Sequence, residues 1–553
     1  MNQRLPRFFS HLVVTLFLGI TTIDSFSQFT NVNLTNQARP QNEPSVRISR
    51  VNSNNIVAAF RDFRLGYAGT NPARRIGYVY SNNGGQSWST STLLPAPQLP
   101  YVTQSDPVVT SDASGNFYIS SVSRKSNKPG KEENDIIVYR STNNGQTFSF
   151  LSVAIATPKP CKSCNDNGED KEWMICDPVT TSPTYNNILL TSTRQLGWNI
   201  RFVKSTNGGT SWTAPAQVSD ASNTGSGSNL AVGTDGHIYV VWVRYPNTGV
   251  AGIRFDKSTD GGVSFGTDVT LSTYALQGIR VDGGPFICVD YSQNTTRGNV
   301  YVAWSDTRDG SQDVWLQRST NSGSTWLTNP IRVNDVATGS QYKPIIQCDE
   351  NGILWTLFYD TRLGGVNSYM AYSTDAGDTW TNVRVSSSSF TGDPINGDVR
   401  FGEYVGIDAF AGKVIPVWTD DRAGAPNQEV YTANIVGIPK LAQRWTSGSR
   451  QPGEFVLHQN YPNPFGVRYG SSSTTISFSL PEKSRVYVNV YDPLGREVAQ
   501  LAQQEFEAGQ HSIQWTAHDK NGKALPSGVY TYKLIAVVDG VERVAVRRMV
   551  VVR

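Results

Sequence analysis

The sequence predicts an all-β protein, a seven-bladed β-propeller followed by an Ig-like β-sandwich. Three observations predict this fold class. An eight-residue motif of the form S-x-[DN]-x-G-x-[ST]-[WF] occurs six times, at intervals of 53 to 64 residues, and such a period is typical of a repeated supersecondary unit. Seven pairs of short apolar strands align with the motif. The last hundred or so residues form a separate series of short strands divided by turns.

The residue types of the six motif copies suit a tight turn between two strands. Asn or Asp at the third position can accept backbone N–H groups within its own turn, and Gly at the fifth can take a positive φ. The closing aromatic residue offers a large face for burial against its sheet. The copies start at Ser81, Ser141, Ser205, Ser258, Ser319 and Ser373. The motif resembles the Asp-box (BNR) repeat of sialidases and related β-propellers, and this resemblance implies a fold more than a chemistry.

The number of blades follows from what surrounds the motif. Each unit opens with an inner strand and a second strand; a third strand runs into the motif and a fourth leaves it. The sequence contains seven such pairs of opening strands but six copies of the motif. The seventh unit ends after its third strand, at Glu429–Asn434. The segment Thr30–Thr35 resembles Thr381–Ser386, the strand that leaves the sixth motif. We therefore expect the N-terminal segment to complete the seventh blade and remove an exposed sheet edge, whereas sialidases proper have six blades.

The N-terminal residues predict that the protein is exported. Arg4 and Arg7 precede an apolar run at Leu12–Ile23, and the small residues of Ser25–Ser27 suit a cleavage site, so residues 1–27 are typical of a signal peptide. The apolar run is too short to span a membrane. We expect the propeller over 28–436, a linker over 437–455 and the C-terminal domain over 456–553.

The C-terminal domain carries three short motifs. They are N-Y-P-N-P-F at 460–465, L-P-S-G-V-Y at 525–530 and R-R-x-V-x-V-R at 547–553. Together they resemble the C-terminal sorting domain of the Bacteroidetes-type type IX secretion system. That resemblance implies the type IX secretion machinery as a partner and a secreted or cell-surface location at the outer membrane. An ordinary Ig-like accessory domain is the alternative.

Charge and cysteine content limit the partners and cofactors. The net charge of +3 lacks the basic excess of nucleic-acid-binding proteins, so no nucleic acid is expected. We interpret Cys176, Cys288 and Cys348 as buried thiols. A local disulfide or part of a metal site could be formed by Cys161 and Cys164. The acidic run at Asn165–Asp170 could be a calcium loop or a solvated turn. We expect no cofactor.

Two residue sets are candidates for ligand contact, and both fall on the same predicted face of the propeller. The first is an aromatic-x-Asp-x-Arg pattern at the end of four second strands. It supplies the candidate ligand-binding residues Arg64, Arg308, Arg362 and Arg422, since a guanidinium can hold a carboxylate or sulfate through two hydrogen bonds. A salt-bridged turn repeated by blade is the alternative.

The second set lies just ahead of the inner strands, at the mouth of the central channel. Its candidate catalytic residues are Glu43, Asp106, Glu172, Glu403 and Tyr404. Paired carboxylates suit glycoside hydrolysis, and a sialidase uses an Asp, a Glu-activated Tyr and three arginines. However, the F-R-I-P segment of sialidases is missing. Phe60–Arg64 is the nearest segment.

Three functions compete. The first is a module that binds an extracellular glycan or glycoprotein on its arginine- and acid-lined face. The second is a sialidase-like exo-glycosidase that hydrolyses terminal sialic acid or a related glycoside. The third is a structural or adhesion scaffold. Because fold does not choose among them, the missing signature and the seventh blade favour binding.

Overall fold

A computed structural model describes most of the chain. The described residues are 29–66, 74–97, 100–125, 133–157, 168–220, 225–245, 252–273, 284–392, 401–424, 427–433, 435, 456–457, 460, 463, 465–466, 473–480, 482–507, 509–538 and 541–553. They fall into two compact units, 1–446 and 447–553. Their regular elements are β-strands, and among them there is no helix with the length and hydropathy to cross a bilayer. The predicted signal peptide lies outside the described residues.

The first unit contains seven four-stranded antiparallel sheets among its described residues. Its N-terminal strand, β1, is Asn31–Asn33. Six sheets then follow chain order, and the first two are β2 (Gln41–Ile48), β3 (Ile56–Asp62), β4 (Arg75–Ser81) and β5 (Thr92–Leu93), then β6 (Thr103–Ser111), β7 (Phe117–Arg124), β8 (Asn134–Ser141) and β9 (Ser149–Ile155). The third and fourth sheets are β10 (Glu169–Cys176), β11 (Ile188–Arg194), β12 (Asn199–Ser205) and β13 (Ala216–Gln217), then β14 (Gly225–Val232), β15 (Ile238–Arg244), β16 (Gly252–Ser258) and β17 (Val269–Ser272). The fifth and sixth sheets are β18 (Phe286–Val289), β19 (Val300–Asp306), β20 (Asp313–Ser319) and β21 (Ile331–Arg332), then β22 (Gln341–Cys348), β23 (Leu354–Asp360), β24 (Asn367–Ser373) and β25 (Thr381–Arg384).

The seventh sheet joins the two ends of the unit. It is built from β26 (Gly406–Phe410), β27 (Lys413–Asp420), β28 (Glu429–Ala433) and the N-terminal β1. Asn31 pairs with Ala433 and Asn33 with Tyr431, so the predicted pairing of the N-terminal segment is confirmed. Each first strand contacts the first strand of the next sheet, and β26 contacts β2. The first strands therefore form a closed ring, and the arrangement is propeller-like.

Apolar side chains fill the spaces between neighbouring sheets. The second strands are buried along nearly their whole length, because each has a sheet neighbour on both faces. The largest fully buried side chains include Trp242, Trp304, Trp355 and Trp418. Burial of this kind is the main favourable contribution to folding.

The six motif copies form one repeated turn. In the second copy, the hydroxyl of Ser141 accepts the N–H of Gly145 at 3.0 Å, and Asn143 Oδ1 accepts the N–H of Thr147 at 3.0 Å. Gly145 has φ +82°, and a Cβ there would lie 2.2 Å from a methyl carbon of Val57. Only Phe148 among the six closing aromatic residues is buried, and the other five are half-buried. The five half-buried rings pack against the core clusters of the unit, so each closing aromatic buries a face as the sequence predicts.

The second unit has two sheets around one core. Its strands are β29 (Val456–Leu457), β30 (Thr474–Leu480), β31 (Ser484–Tyr491), β32 (Glu497–Phe506), β33 (Gly509–Trp515), β34 (Gly528–Val538) and β35 (Val541–Val551). The sheet orders are β29-β30-β33 and β32-β31-β34-β35, and Phe478 and Tyr532 from the two sheets share the core. Phe465 accepts the N–H of Val552 at 2.9 Å. The first and last of the three C-terminal motifs are therefore in direct contact.

Three cysteines occupy the positions that the sequence predicts. Cys176, Cys288 and Cys348 are free and buried, which confirms them as core thiols. Cys161, Cys164 and residues 165–167 of the acidic run Asn165–Asp170 lie outside the described residues.

Candidate functional site

The antiparallel topology gives the first unit two distinct faces. The connection between strands one and two and the motif turn between strands three and four lie on one side, here named the motif face. The connection between strands two and three and the start of each first strand lie on the opposite side, here named the bulge face. Both predicted residue sets lie on the bulge face.

The bulge face takes its name from a break in the first strands. The ladder register shifts between Asn42 and Ser45, and at the corresponding place in four other sheets. One residue at each break, and one at the equivalent position of a sixth sheet, has a left-handed backbone. In six sheets these residues are Glu43 (φ 54°), Asp106 (φ 54°), Lys171 (φ 48°), Gly227 (φ 65°), Gly284 (φ 63°) and Lys343 (φ 53°). A residue other than glycine costs about 1–3 kcal/mol in such a conformation, and this strain concentrates at functional sites.

The strained bulges bring the predicted acids together. We name this group the acid cluster: Glu43, Asp106, Glu172, Glu403 and Tyr404. Glu43 is 1% exposed, and its Oε1 lies 3.0 Å from the Arg61 guanidinium. The Ser105 hydroxyl donates to Asp106 Oδ1 at 2.5 Å. Lys171 forms an ion pair with Glu403, so residues from four different sheets meet at one place.

The two best-connected carboxyl groups of the cluster have opposite pKa shifts. Burial raises the pKa of Glu43 to about 7, and the nearby Asp106 carboxylate adds to this rise. Burial also acts to raise the pKa of Asp106, but Lys171 and Arg61 outweigh it and hold that pKa below its ordinary value. The two side chains are close enough for each to act on the pKa of the other. Near pH 6, Glu43 therefore holds a proton while Asp106 is ionised.

The surroundings of Glu172 and Tyr404 favour the neutral form of each side chain. Burial and the Asp106 carboxylate raise the pKa of Glu172 well above its ordinary value. Burial, followed by the effects of Asp106 and Glu43, does the same for Tyr404. The Tyr404 hydroxyl donates to the carbonyl of Pro107 at 3.2 Å. This geometry stabilises a neutral phenol, and a catalytic role for Tyr404 stays a prediction.

The four Asp-x-Arg pairs form the salt-bridged turns that the sequence allowed as an alternative. Each aspartate is at most 1% exposed, and each arginine side chain is 7–20% exposed. Arg362, for example, donates from Nε to Asp360 Oδ2 at 2.7 Å, and its backbone N–H donates to Oδ1 at 2.8 Å. It also stacks on Tyr369, 4.3 Å from the ring centre. Arg64, Arg308, Arg362 and Arg422 are thus held within their own turns, and their role in ligand binding stays a prediction.

Sequence reasoning missed the cations that surround the acid cluster. Arg61 donates to Asn42 Oδ1 at 2.8 Å as well as pairing with Glu43. Arg74 is close enough to Asp106 and Glu43 for both to act on its pKa, which burial lowers. The available signal was Lys171 itself. It is one of four charged residues, with Glu43, Asp106 and Lys343, at the position where two other sheets carry Gly227 and Gly284. Each of the four precedes Pro or Glu.

Two exposed aromatic residues also lie on the bulge face. Trp198 and Tyr245 belong to connections between second and third strands and are 44% and 39% exposed. Trp198 has φ 51°, which is rare for a bulky side chain. Its exposure is unusual for a residue of this size. The space enclosed beside the acid cluster is only about 30 Å³, enough for one or two water molecules, so a larger ligand would contact the cluster from outside.

The pKa of Glu43 predicts how stability depends on pH. Since its pKa is higher in the folded protein than in the unfolded chain, the folded state binds the proton more tightly. Stability that is present below pH 4.5 is lost as the pH rises through about 7, a change of about 3 kcal/mol. Urea unfolding at pH 5 and pH 8 should show a smaller loss for Glu43→Gln than for the unmodified protein. Equal losses would contradict the assignment.

Comparisons with known proteins bear on each unit. Residues 467–540 match the family model of the FlgD Ig-like domain, which assigns an Ig-like domain to the second unit. No curated protein matches the chain. A Dyadobacter fermentans protein of unknown function is 13% identical, with a TM-score of 0.44, over 73% of this chain and 96% of that one.

Two enzymes are among the similar solved structures. The intramolecular trans-sialidase of Ruminococcus gnavus is 11% identical with a TM-score of 0.44, covering 63% of this chain and 96% of that one. The α-L-arabinofuranosidase of Fusarium graminearum is 12% identical with a TM-score of 0.44, covering 64% and 99%.

Proposed function

We propose that the first unit is a seven-bladed β-propeller that binds an extracellular glycan on its bulge face. The observation that carries this proposal is the pairing, on one face, of the acid cluster with the exposed Trp198. Carboxylates and guanidinium groups can accept from and donate to sugar hydroxyls. An exposed, rigid aromatic face can pack against the apolar side of a sugar ring. The strain at Glu43, Asp106, Lys171 and Trp198 supports a selected role.

Glycoside hydrolysis is the second candidate function. The raised pKa of Glu43 favours it, because a carboxyl group that holds a proton near neutral pH can act as a general acid. The burial of Glu43 and Asp106 opposes it. The two carboxyl groups of glycosidases flank the substrate at separations of about 5–9.5 Å, so both must be accessible to it. Binding is therefore the better-supported function.

A glycan array tests the proposal. The purified mature protein should bind a subset of glycans, and Trp198→Ala should weaken that binding about tenfold with no loss of melting temperature. Tyr185→Ala is a matched control because Tyr185 is 41% exposed and lies between β10 and β11, on the motif face. Absence of binding to every glycan, or equal effects of the two variants, would contradict the proposal.

A screen with fluorogenic glycosides, sialosides included, separates the two candidate functions. A binding module releases no fluorophore above the blank. Turnover that disappears in Glu43→Gln, while glycan binding is retained, would establish hydrolysis instead.

We also propose that the second unit is a type IX sorting domain and that the protein reaches the cell surface or medium. The contact between Phe465 and Val552 supports this, because it joins two of the three motifs that carry the resemblance. Truncation of the last strand would remove the buried Val551. A loss of export in that variant would then not be distinguishable from a failure of the domain to fold. Arg547→Ala with Arg548→Ala is a better test, since both residues are exposed on β35. Surface delivery should fail while the second unit stays folded, and normal delivery would contradict the proposal.

A further inference from the structure

A second cavity of the first unit lies on the other side of the ring, inside the central channel. It has a volume of about 470 Å³, and first strands together with connections on the motif face line it. Trp173 forms the boundary with the acid cluster. Its ring packs edge-to-face against Phe286, with centroids 4.9 Å apart, and against Tyr404 at 6.0 Å. We name this cavity the channel funnel.

The channel funnel has the size and surface of a small-molecule site. Ligand pockets usually enclose about 300–1,000 Å³ and have mainly apolar walls with a few polar groups. Here the apolar wall includes Ile175, Cys288, Ile345, Ile346 and Ile407. These side chains form an apolar patch within a lining that also exposes polar groups. The patch can hold a hydrocarbon body, which needs no hydrogen-bonding partners.

One cation in this wall has an unsatisfied guanidinium. Arg47 lines the funnel, and its closest carboxylate oxygen, Asp408 Oδ1, is 3.7 Å away. That distance exceeds a hydrogen bond. The Nε of Arg47 is buried and has no hydrogen-bond partner in the part of the chain that the structure describes.

Asp408 cannot satisfy Arg47 because other groups already use its oxygens. Arg50 donates to Oδ1 at 2.7 Å and to Oδ2 at 3.0 Å. The backbone N–H of Ile48 donates to Oδ2 at 2.7 Å, and that of Ala409 to Oδ1 at 3.1 Å. Two guanidinium groups thus share the Asp408 carboxylate, and Arg47 is the one left without a hydrogen bond to it. The lining of the funnel also includes Arg297, Asp349 and Glu350.

The Arg47 guanidinium stays charged at neutral pH. Burial, followed by the effect of Arg50, lowers the pKa of Arg47 to about 10, so the guanidinium is protonated under physiological conditions. A partly buried charge without a full partner is costly. An anion in the funnel would supply the hydrogen bonds that Arg47 lacks.

We propose that the channel funnel binds a small organic monocarboxylate with an apolar body. The carboxylate accepts two hydrogen bonds from Arg47, as the planar guanidinium fork allows. The hydrocarbon packs against Ile175, Cys288 and Ile346, above the Trp173 ring. This site is separate from the glycan face, and either proposal can fail without the other.

Calorimetric titration of the full mature protein tests the site. The probes are 4-phenylbutyrate, octanoate and the neutral 4-phenylbutyramide. The carboxylates should bind at least tenfold more tightly than the amide, because only they complete the ion pair with Arg47. Equal binding of 4-phenylbutyrate and its amide, or no binding of either carboxylate at millimolar concentration, would overturn the proposal.

Three variants locate the site. Arg47→Gln should remove the preference for the carboxylate over the amide. Arg332→Gln, an exposed arginine on β21, is the matched control and should keep the preference. Ala231→Leu places a larger side chain in the funnel wall and should weaken binding of acid and amide alike. Unchanged carboxylate affinity in both Arg47→Gln and Ala231→Leu would overturn the proposal. If Arg47→Gln fails to fold, unchanged affinity in Ala231→Leu is enough to overturn it.

Discussion

Replacing Arg362 with alanine is expected to lower the unfolding free energy of the first unit by about 3–5 kcal/mol. The substitution leaves Asp360, which is fully buried, without the guanidinium that donates to it at 2.6–2.7 Å. Breaking one partner of a buried pair has a cost of this size because the remaining charge is uncompensated. The loss of stacking on Tyr369 adds to it. Urea unfolding measures the effect.

Two further variants separate the ion pair from general damage. Arg332→Ala removes an exposed arginine from the outer strand of the neighbouring sheet, and it should change stability by less than about 0.5 kcal/mol. The double variant Asp360→Asn with Arg362→Ala should be more stable than Arg362→Ala alone, because the buried charge is gone. If Arg362→Ala is as stable as Arg332→Ala but loses glycan binding, the arginine is a ligand contact and the structural assignment is wrong.

Removal of residues 29–37 is the second change with a large expected effect. It would delete β1, take away the buried Phe29 and Leu34, and leave β28 as an unpaired edge. It would also remove Thr35, whose hydroxyl bonds to the buried Glu429. We expect the melting temperature of the first unit to fall by about 10 °C or more.

The exposed edge gives that deletion a second readout. An unpaired strand recruits other chains, so light scattering should detect association that the full protein lacks. Leu34→Asp should reproduce part of the thermal effect, while Val51→Asp, at an exposed valine, should not. A deletion variant that melts within about 2 °C of the full protein would contradict closure by the N-terminal strand.

The closing strand shows what could be predicted from sequence. The likeness of Thr30–Thr35 to Thr381–Ser386 was sufficient, because strands at equivalent places in a repeat meet the same surroundings. The Asp-x-Arg repeat was harder to interpret. Its residue types suit both an anion site and a salt-bridged turn, and only the burial of Asp62, Asp306, Asp360 and Asp420 shows the turn.

The acid cluster was predicted in part. The positions of Glu43, Asp106, Glu172 and Glu403 ahead of inner strands placed them on one face, but their pairing with Lys171 and Arg61 depends on bulges that strand periodicity does not encode. Trp198 was missed because an exposed aromatic residue in a loop has no periodic signal. The channel funnel was missed because its wall comes from single residues on several strands that only ring closure brings together.

The most direct test of the central claim compares two variants, Asp106→Asn and Asp260→Asn. Each is measured for binding to the glycan that the unmodified protein binds most tightly on the array. Asparagine tolerates the left-handed backbone at position 106, and it already occupies the position of Asp260 in four other motif copies, at Asn83, Asn143, Asn207 and Asn321. Both variants should therefore fold and differ from the parent by one charge each. We expect Asp106→Asn to bind at least tenfold more weakly and Asp260→Asn to bind as the unmodified protein does. Binding by Asp106→Asn within twofold of the parent, at unchanged melting temperature, would contradict the assignment of the bulge face as the glycan site.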